Sequence, residues 1–143
     1  MESKIAKASS VEVLNVLGIP HAVLVERNDN PSGYELLEIT GAPDVGFPMQ
    51  VNKKEDETFY VAEGEVVFTL DNREFSAFAG TAVNLFRGVP HAFRIVAPNC
   101  RIALTISPGN LLPMMRELAS LSPGAPDMSE ITAICSKFDV RFL

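Results

Sequence analysis

The sequence predicts an all-β fold, a sandwich or barrel, followed by two short helices. Three observations carry this expectation. Between about residues 11 and 107, short runs rich in Val, Ile, Leu and Phe recur at close intervals. Turn residues separate the runs. The texture changes after Pro108-Gly109, where apolar residues fall at helical spacing. About ten short strands with tight turns argue against alternating βα units.

The strands are read at Glu12–Leu17, Ala22–Glu26, Tyr34–Ile39, Met49–Asn52, Glu57–Glu63, Glu65–Leu70, Arg73–Phe78, Thr81–Leu85, His91–Ile95 and Arg101–Ser107. Gly18-Ile19-Pro20, Asn28 to Gly33, Gly41-Ala42-Pro43, Ala79-Gly80, Arg87 to Pro90 and Ala97-Pro98-Asn99 punctuate them. Asp71-Asn72 reads as a two-residue hairpin loop. Residues 108–143 form a helical extension of the same domain. Leu111, Leu112, Met114, Met115 and Leu118 define a first helix, with Pro113 in its first turn, where a missing N–H costs little. A linker, Leu121-Ser122-Pro123-Gly124-Ala125-Pro126, precedes Asp127-Met128-Ser129-Glu130, which has the spacing of a capping box. Met128, Ile131, Ile134, Cys135 and Phe138 form one stripe behind it. These apolar faces are expected on the outside of the barrel or against a second subunit.

The chain has 143 residues, the size of one domain. With 47% hydrophobic and 21% charged residues, it has material for a core and too little charge for disorder. Twelve Lys+Arg against eighteen Asp+Glu give a net charge of -6, which repels a phosphate backbone and argues against a nucleic-acid partner. No apolar run reaches the roughly 18 residues of a membrane span. Met1-Glu2-Ser3-Lys4-Ile5-Ala6-Lys7 has no hydrophobic block behind its charges, so no signal peptide is expected. Cys100 and Cys135 form no framework and read as reduced packing residues of a cytoplasmic protein.

Gln50-x-Asn52, Glu57 and Gly64 are followed, after the hairpin, by Gly80, Phe86, Gly88 and His91. This pattern resembles the two motifs of the cupin superfamily, in which H-x-H, three or four residues, E, six residues and G precede G, five residues and P-x-G-x-x-H. The terminal helices and the Glu55-Asp56-Glu57-x-Phe59-Tyr60-Val61-x-Glu63-Gly64 segment are similar to those of small single-domain, quercetin-dioxygenase-like cupins. The resemblance implies a double-stranded β-helix, the jelly-roll barrel, over residues 11–107. It also implies a homodimer, because small cupins often pair through an N-terminal strand; the helical stripes, in need of cover, agree.

The residues agree with that reading. Gln50 and Asn52 are two apart and share a face of one strand. Glu57 shares its parity with Phe59 and Val61. Gly64 and Gly88 fit turns with no room for a Cβ. A barrel folded this way brings Gln50, Asn52, Glu57 and His91 into one mouth. The departure from the family is as informative. In metal-binding cupins both H-x-H histidines, the glutamate and the second-motif histidine hold one divalent ion. Here Gln50 and Asn52 replace both first-motif histidines. Amide oxygens are weak donors toward Fe, Ni, Cu or Zn, and catalytic zinc typically has three strong protein ligands. Glu57 and His91 are the candidate metal ligands that remain, with Gln50 and Asn52 as weak ones. No cofactor is expected; if there is one, it is a divalent transition metal ion.

Other residues have plainer readings. His21 reads as a surface residue beside Pro20. Lys53, Lys54, Glu55 and Asp56 read as a solvated turn. Arg87 and Arg94 are candidates for anion contacts, with solvated or ion-paired arginines the commoner outcome. Phe47, Met49, Phe59, Phe68, Phe75, Phe78, Phe86 and Phe93 read as core or pocket wall.

Three functions follow. The first is binding of a small apolar or mixed-polarity ligand by a barrel with a degenerate metal site. The second is a metal-dependent dioxygenase of the quercetin-dioxygenase-like type, which the resemblance implies. The third is a metal-free isomerase or epimerase with His91 as base and Glu57 orienting it, an analogy of fold alone. The sequence assigns no catalytic residue, substrate or pathway.

Overall fold

The computed structural model describes residues 2–122 and 127–143; residues 123–126 of the expected linker lie outside the described residues. Among the described residues, eleven strands make two antiparallel sheets: β1 (Val13–Val16), β2 (Ile19–Val25), β3 (Glu35–Gly41), β4 (Gly46–Asn52), β5 (Asp56–Glu63), β6 (Glu65–Leu70), β7 (Arg73–Phe78), β8 (Thr81–Leu85), β9 (His91–Ile95), β10 (Cys100–Ser107) and β11 (Val140–Phe142). One sheet has the order β1-β2-β3-β10-β5-β8 and the other β11-β4-β9-β6-β7. This is the jelly-roll architecture that the sequence predicts.

Two strands begin three residues earlier than expected and run through a proline. Pro20 lies inside β2 but precedes the first residue paired with β3, so it removes no ladder bond on that side. Pro48 lies inside β4 where its register with β9 shifts between Phe47 and Gln50, and an irregular ladder tolerates a residue without an N–H. Strand β11 was not read from the sequence, because three residues carry no period.

The hairpin at Asp71-Asn72 is as expected: Leu70 pairs with Arg73, and Asp71 takes φ 55°. Gly64 takes φ 91°, and a Cβ there would stand 3.0 Å from the Cys100 Cα, so both turn and close approach require glycine.

Inward residues of the strands form one core. Phe59, Phe68 and Phe93 pack with ring centroids 5.4 to 6.1 Å apart, and Phe47 meets Phe93 edge-on at 5.3 Å. Burying side chains of this size stabilises the fold by roughly 1.5–3 kcal/mol each. Phe78 and Phe86 depart from the core reading. Phe78 is outward on β7, Phe86 lies in the turn after β8, and both are exposed.

Helices α1 (Leu112–Ala119) and α2 (Met128–Ser136) follow the barrel. Helix α1 packs on β1, the edge of the first sheet. Helix α2 packs on β11, the edge of the second, and the two helices touch. Together they bridge the open edges of the two sheets. Their apolar faces therefore find cover within this chain and join its core, and they supply no argument for a second subunit. Of the two expected covers, the barrel and a second subunit, the barrel serves here, at its sheet edges rather than on an outer face. Met128 also departs from its stripe, being 52% exposed, whereas Ile131 and Cys135 are buried.

The helix starts show how the sequence fixes this arrangement. Asp127 accepts from the Ser129 N–H at 2.9 Å and caps α2. At α1 the cap comes from far away in sequence: the buried Glu35 of β3 accepts from the Leu111 N–H at 2.9 Å and the Leu112 N–H at 3.2 Å. A carboxylate at a helix N-terminus meets free N–H groups and the positive end of the dipole.

Candidate ligand pocket

Strand register sets the polar end of the barrel. Glu35, Ile106, Glu57 and Leu85 stand opposite one another across β3, β10, β5 and β8. On the other sheet Gln50 of β4 faces His91 of β9. The turn that carries His91 is tied to both strands that carry its neighbours. The Gly88 N–H donates to the Asn52 carbonyl at 2.8 Å. Arg87 donates to Asp56 through its backbone N–H at 2.8 Å and its guanidinium at 3.0 Å. Arg87 is thus ion-paired, and bidentate pairing gives the turn a fixed geometry.

The four expected pocket residues, Gln50, Asn52, Glu57 and His91, do converge on one cavity. Asn52, Glu57 and His91 are buried. The Asn52 Nδ2 donates to Glu57 Oε1 at 2.6 Å. His91 Nδ1 lies 3.0 Å from the Val89 carbonyl, which can only accept, so Nδ1 carries a proton. His91 Nε2 stands 3.2 Å from the same Glu57 oxygen, off the axis of a well-formed hydrogen bond. A bare Nε2 lone pair against a carboxylate would be repulsive, so this contact favours a second proton on the ring. Burial pushes the His91 imidazole down, but the Glu57 carboxylate and the Val89 carbonyl outweigh it, and the net direction is up. Asn52 Oδ1 is buried without a partner.

The rest of the wall is apolar. Phe47, Phe59, Phe93 and Leu104 come from the barrel, Met114, Met115 and Leu118 from α1, Cys135 from α2 and Phe142 from β11. The space between these side chains is about 30 Å³, enough for one or two water molecules. Burial pushes the Cys135 thiol up to about 11, as expected of a packing residue.

Two expectations are overturned. His21 is not a surface residue: it is fully buried, with Nδ1 2.8 Å from the Ile19 carbonyl and Nε2 without a partner. It stands opposite Ile39, in the row of Ile102 and Val61, four residues and about 13 Å along the strand from Glu57. Burial lowers its pKa. Glu55 is not part of a solvated turn: it is 1% exposed, and its Oε1 has no partner. Burial, then the Glu57 and Glu35 charges, push it up to about 7. Parity was the available signal for both, since His21 alternates with Ile19 and Val23, and Glu55 with Glu57. Glu35, two before Leu37, was missed for the same reason. Arg94 is exposed on β9, outside the pocket.

The donor set does not suit a transition ion. Among the described residues, no three His, Cys, Asp or Glu side chains stand close enough to hold a metal. The Asn52 amide also turns its N–H, not its oxygen, toward Glu57, and so occupies the carboxylate oxygen nearest His91.

Fold and pocket together resemble those of a small cupin, and residues 38–102 match the family model described as a cupin domain. A curated relative, quercetin 2,3-dioxygenase of Bacillus subtilis (strain 168), is 27% identical over 78 residues, which is 54% of this chain and 23% of that protein. The chain thus matches about a quarter of that relative's length. The structure of KdgF from Halomonas sp. superposes with a TM-score of 0.68 at 14% identity, covering 77% of this chain and 96% of that one. The polyketide cyclase RemF from Streptomyces resistomycificus superposes with a TM-score of 0.64 at 21% identity, covering 73% and 79%. Among the described residues, no helix is long and apolar enough to cross a membrane.

Proposed function

We propose that this cupin binds a small molecule in its barrel, beside Asn52, Glu57 and His91, and does so without a transition metal. The observation that carries the reading is the Asn52 to Glu57 hydrogen bond at 2.6 Å, made by an amide where the family motif has a histidine. One carboxylate and one imidazole are too few strong ligands. The same side chains suit hydrogen bonding to a polar group on a largely apolar ligand. Metal analysis after purification without chelators should give well under one ion per chain, and Gln50→His with Asn52→His should create affinity for Ni, Zn or Fe. One tightly bound ion per chain in the parent would overturn the reading.

A second reading has its own support. His91, fixed at Nδ1 by the Val89 carbonyl and facing Glu57 through Nε2, is arranged as an acid–base pair. It fits metal-free proton transfer on a bound substrate. The dioxygenase reading of the Bacillus subtilis relative would need ligands that Gln50 and Asn52 do not supply, and the same metal analysis tests it.

A further inference from the structure

We infer that the α1 wall of the cavity is displaced when ligand enters, and that the ligand is a neutral amphiphile. Its hydroxyl head meets Asn52, Glu57 and His91, and its apolar body takes the space that Met114, Met115 and Leu118 now fill. The inference rests on the reading of the barrel as a metal-free binding site.

Volume is the first argument. The cavity holds about 30 Å³, whereas a dry cavity that takes up benzene is about 150 Å³. A ligand larger than a few atoms enters only if a wall moves. Inner strands of the wall are held by ladders on both sides and the edge strands β1 and β11 on one, whereas α1 has no ladder at all. It has eight residues, too few to be stable alone. Its N-terminus is fixed by the buried Glu35 and its apolar face packs in the core; its other polar attachments are exposed ion pairs, Arg116 to Glu12 and Glu26, each at 2.8 Å, and Lys137 to Glu117. Exposed pairs are weak latches. The helix is thus hinged at Leu111 and latched at Arg116. Methionines face the cavity, and their unbranched side chains readily adopt new packing.

Chemistry of the polar end selects the head group. Asn52 Oδ1 and His91 Nε2 are buried and lack directed partners, and a hydroxyl can donate to the first or accept from the second. Glu35, Glu55 and Glu57 are all buried at this end against the one imidazole of His91. An anionic head would add charge to that field.

Cys135 supplies the test, because it lines the cavity and is 1% exposed. In a Cys100→Ala background, the rate at which a disulfide thiol reagent labels Cys135 reads the opening of the wall. Arg116→Ala should raise that rate about tenfold. Glu12→Gln with Glu26→Gln, which removes the same latch from the barrel side, should do likewise. The association rate of 2-naphthol should rise in parallel, and 2-naphthoate should bind at least tenfold more weakly. Unchanged labelling in both latch variants, or faster labelling without faster 2-naphthol association, would overturn the moving wall. Failure of 2-naphthol to bind, or equal binding of 2-naphthoate, would overturn the ligand class. A resident metal ion would sink the underlying metal-free reading through metal analysis, a measurement independent of Cys135 labelling.

Discussion

His21 and His91 lie on different sheets, yet each places Nδ1 against the carbonyl two residues earlier, Ile19 or Val89, and each is buried. Their other nitrogens meet different surroundings. The His21 ring stands beside Phe47, with centroids 5.9 Å apart, and its Nε2 has no partner. His91 Nε2 has Glu57 at 3.2 Å. The pKa of the first is lowered and that of the second is raised. The same residue in the same local geometry is therefore driven toward the neutral form at one end of the barrel and the charged form at the other. Burial lowers both rings and the Glu57 charge raises both, but Glu57 stands in direct contact with His91 alone, and there it outweighs burial.

The comparison breaks most sharply when one partner is removed. His91→Ala leaves Glu57 buried with Asn52 as its remaining partner and opens a cavity, at an expected cost of about 3 kcal/mol, read by denaturant unfolding. Next in size is Glu55→Gln. The folded pKa of Glu55 is about 7 against an ordinary 4.5, so the folded state holds the extra proton between those values. Its contribution to stability is therefore lost as pH rises from 4.5 through 7. The variant should gain roughly 2 kcal/mol at pH 8 and little at pH 4.

The smallest effect on stability is expected at His21. His21→Phe replaces an imidazole with an unpartnered nitrogen by an apolar ring, and should be neutral or stabilising by about 1 kcal/mol. The two histidines also differ in sign with pH. The contribution of His91 is present below pH 6.5 and lost as pH rises through its raised folded pKa. The penalty of His21 appears as pH falls below 6.5, where the unfolded ring takes a proton that the folded one resists. Glu57→Gln should make His91 resemble His21, with a pKa below 6.5 in an NMR titration. A ring still titrating above 6.5 would show that Glu57 is not the cause.

Much of the barrel was legible because inward and outward residues alternate, and because Gly64, Gly88 and the Asp71-Asn72 pair mark turns that side-chain sterics dictate. The convergence of Gln50, Asn52, Glu57 and His91 was legible through motif spacing. Pro20 and Pro48 hid the starts of two strands, since whether a missing N–H matters depends on which neighbour is paired there. Glu55 was hidden by three charged neighbours, although its parity with Glu57 was in plain view.

The sequence by itself determined the strand pattern, the turns and the placing of two amides, Gln50 and Asn52, on one face of a strand, because these follow from local sterics and residue chemistry. Tertiary structure alone decided that α1 walls the cavity, that Glu35 caps a helix 76 residues away, and which histidine gains a proton. Those outcomes depend on which distant groups come within a few ångströms of one another, and no local pattern encodes that distance.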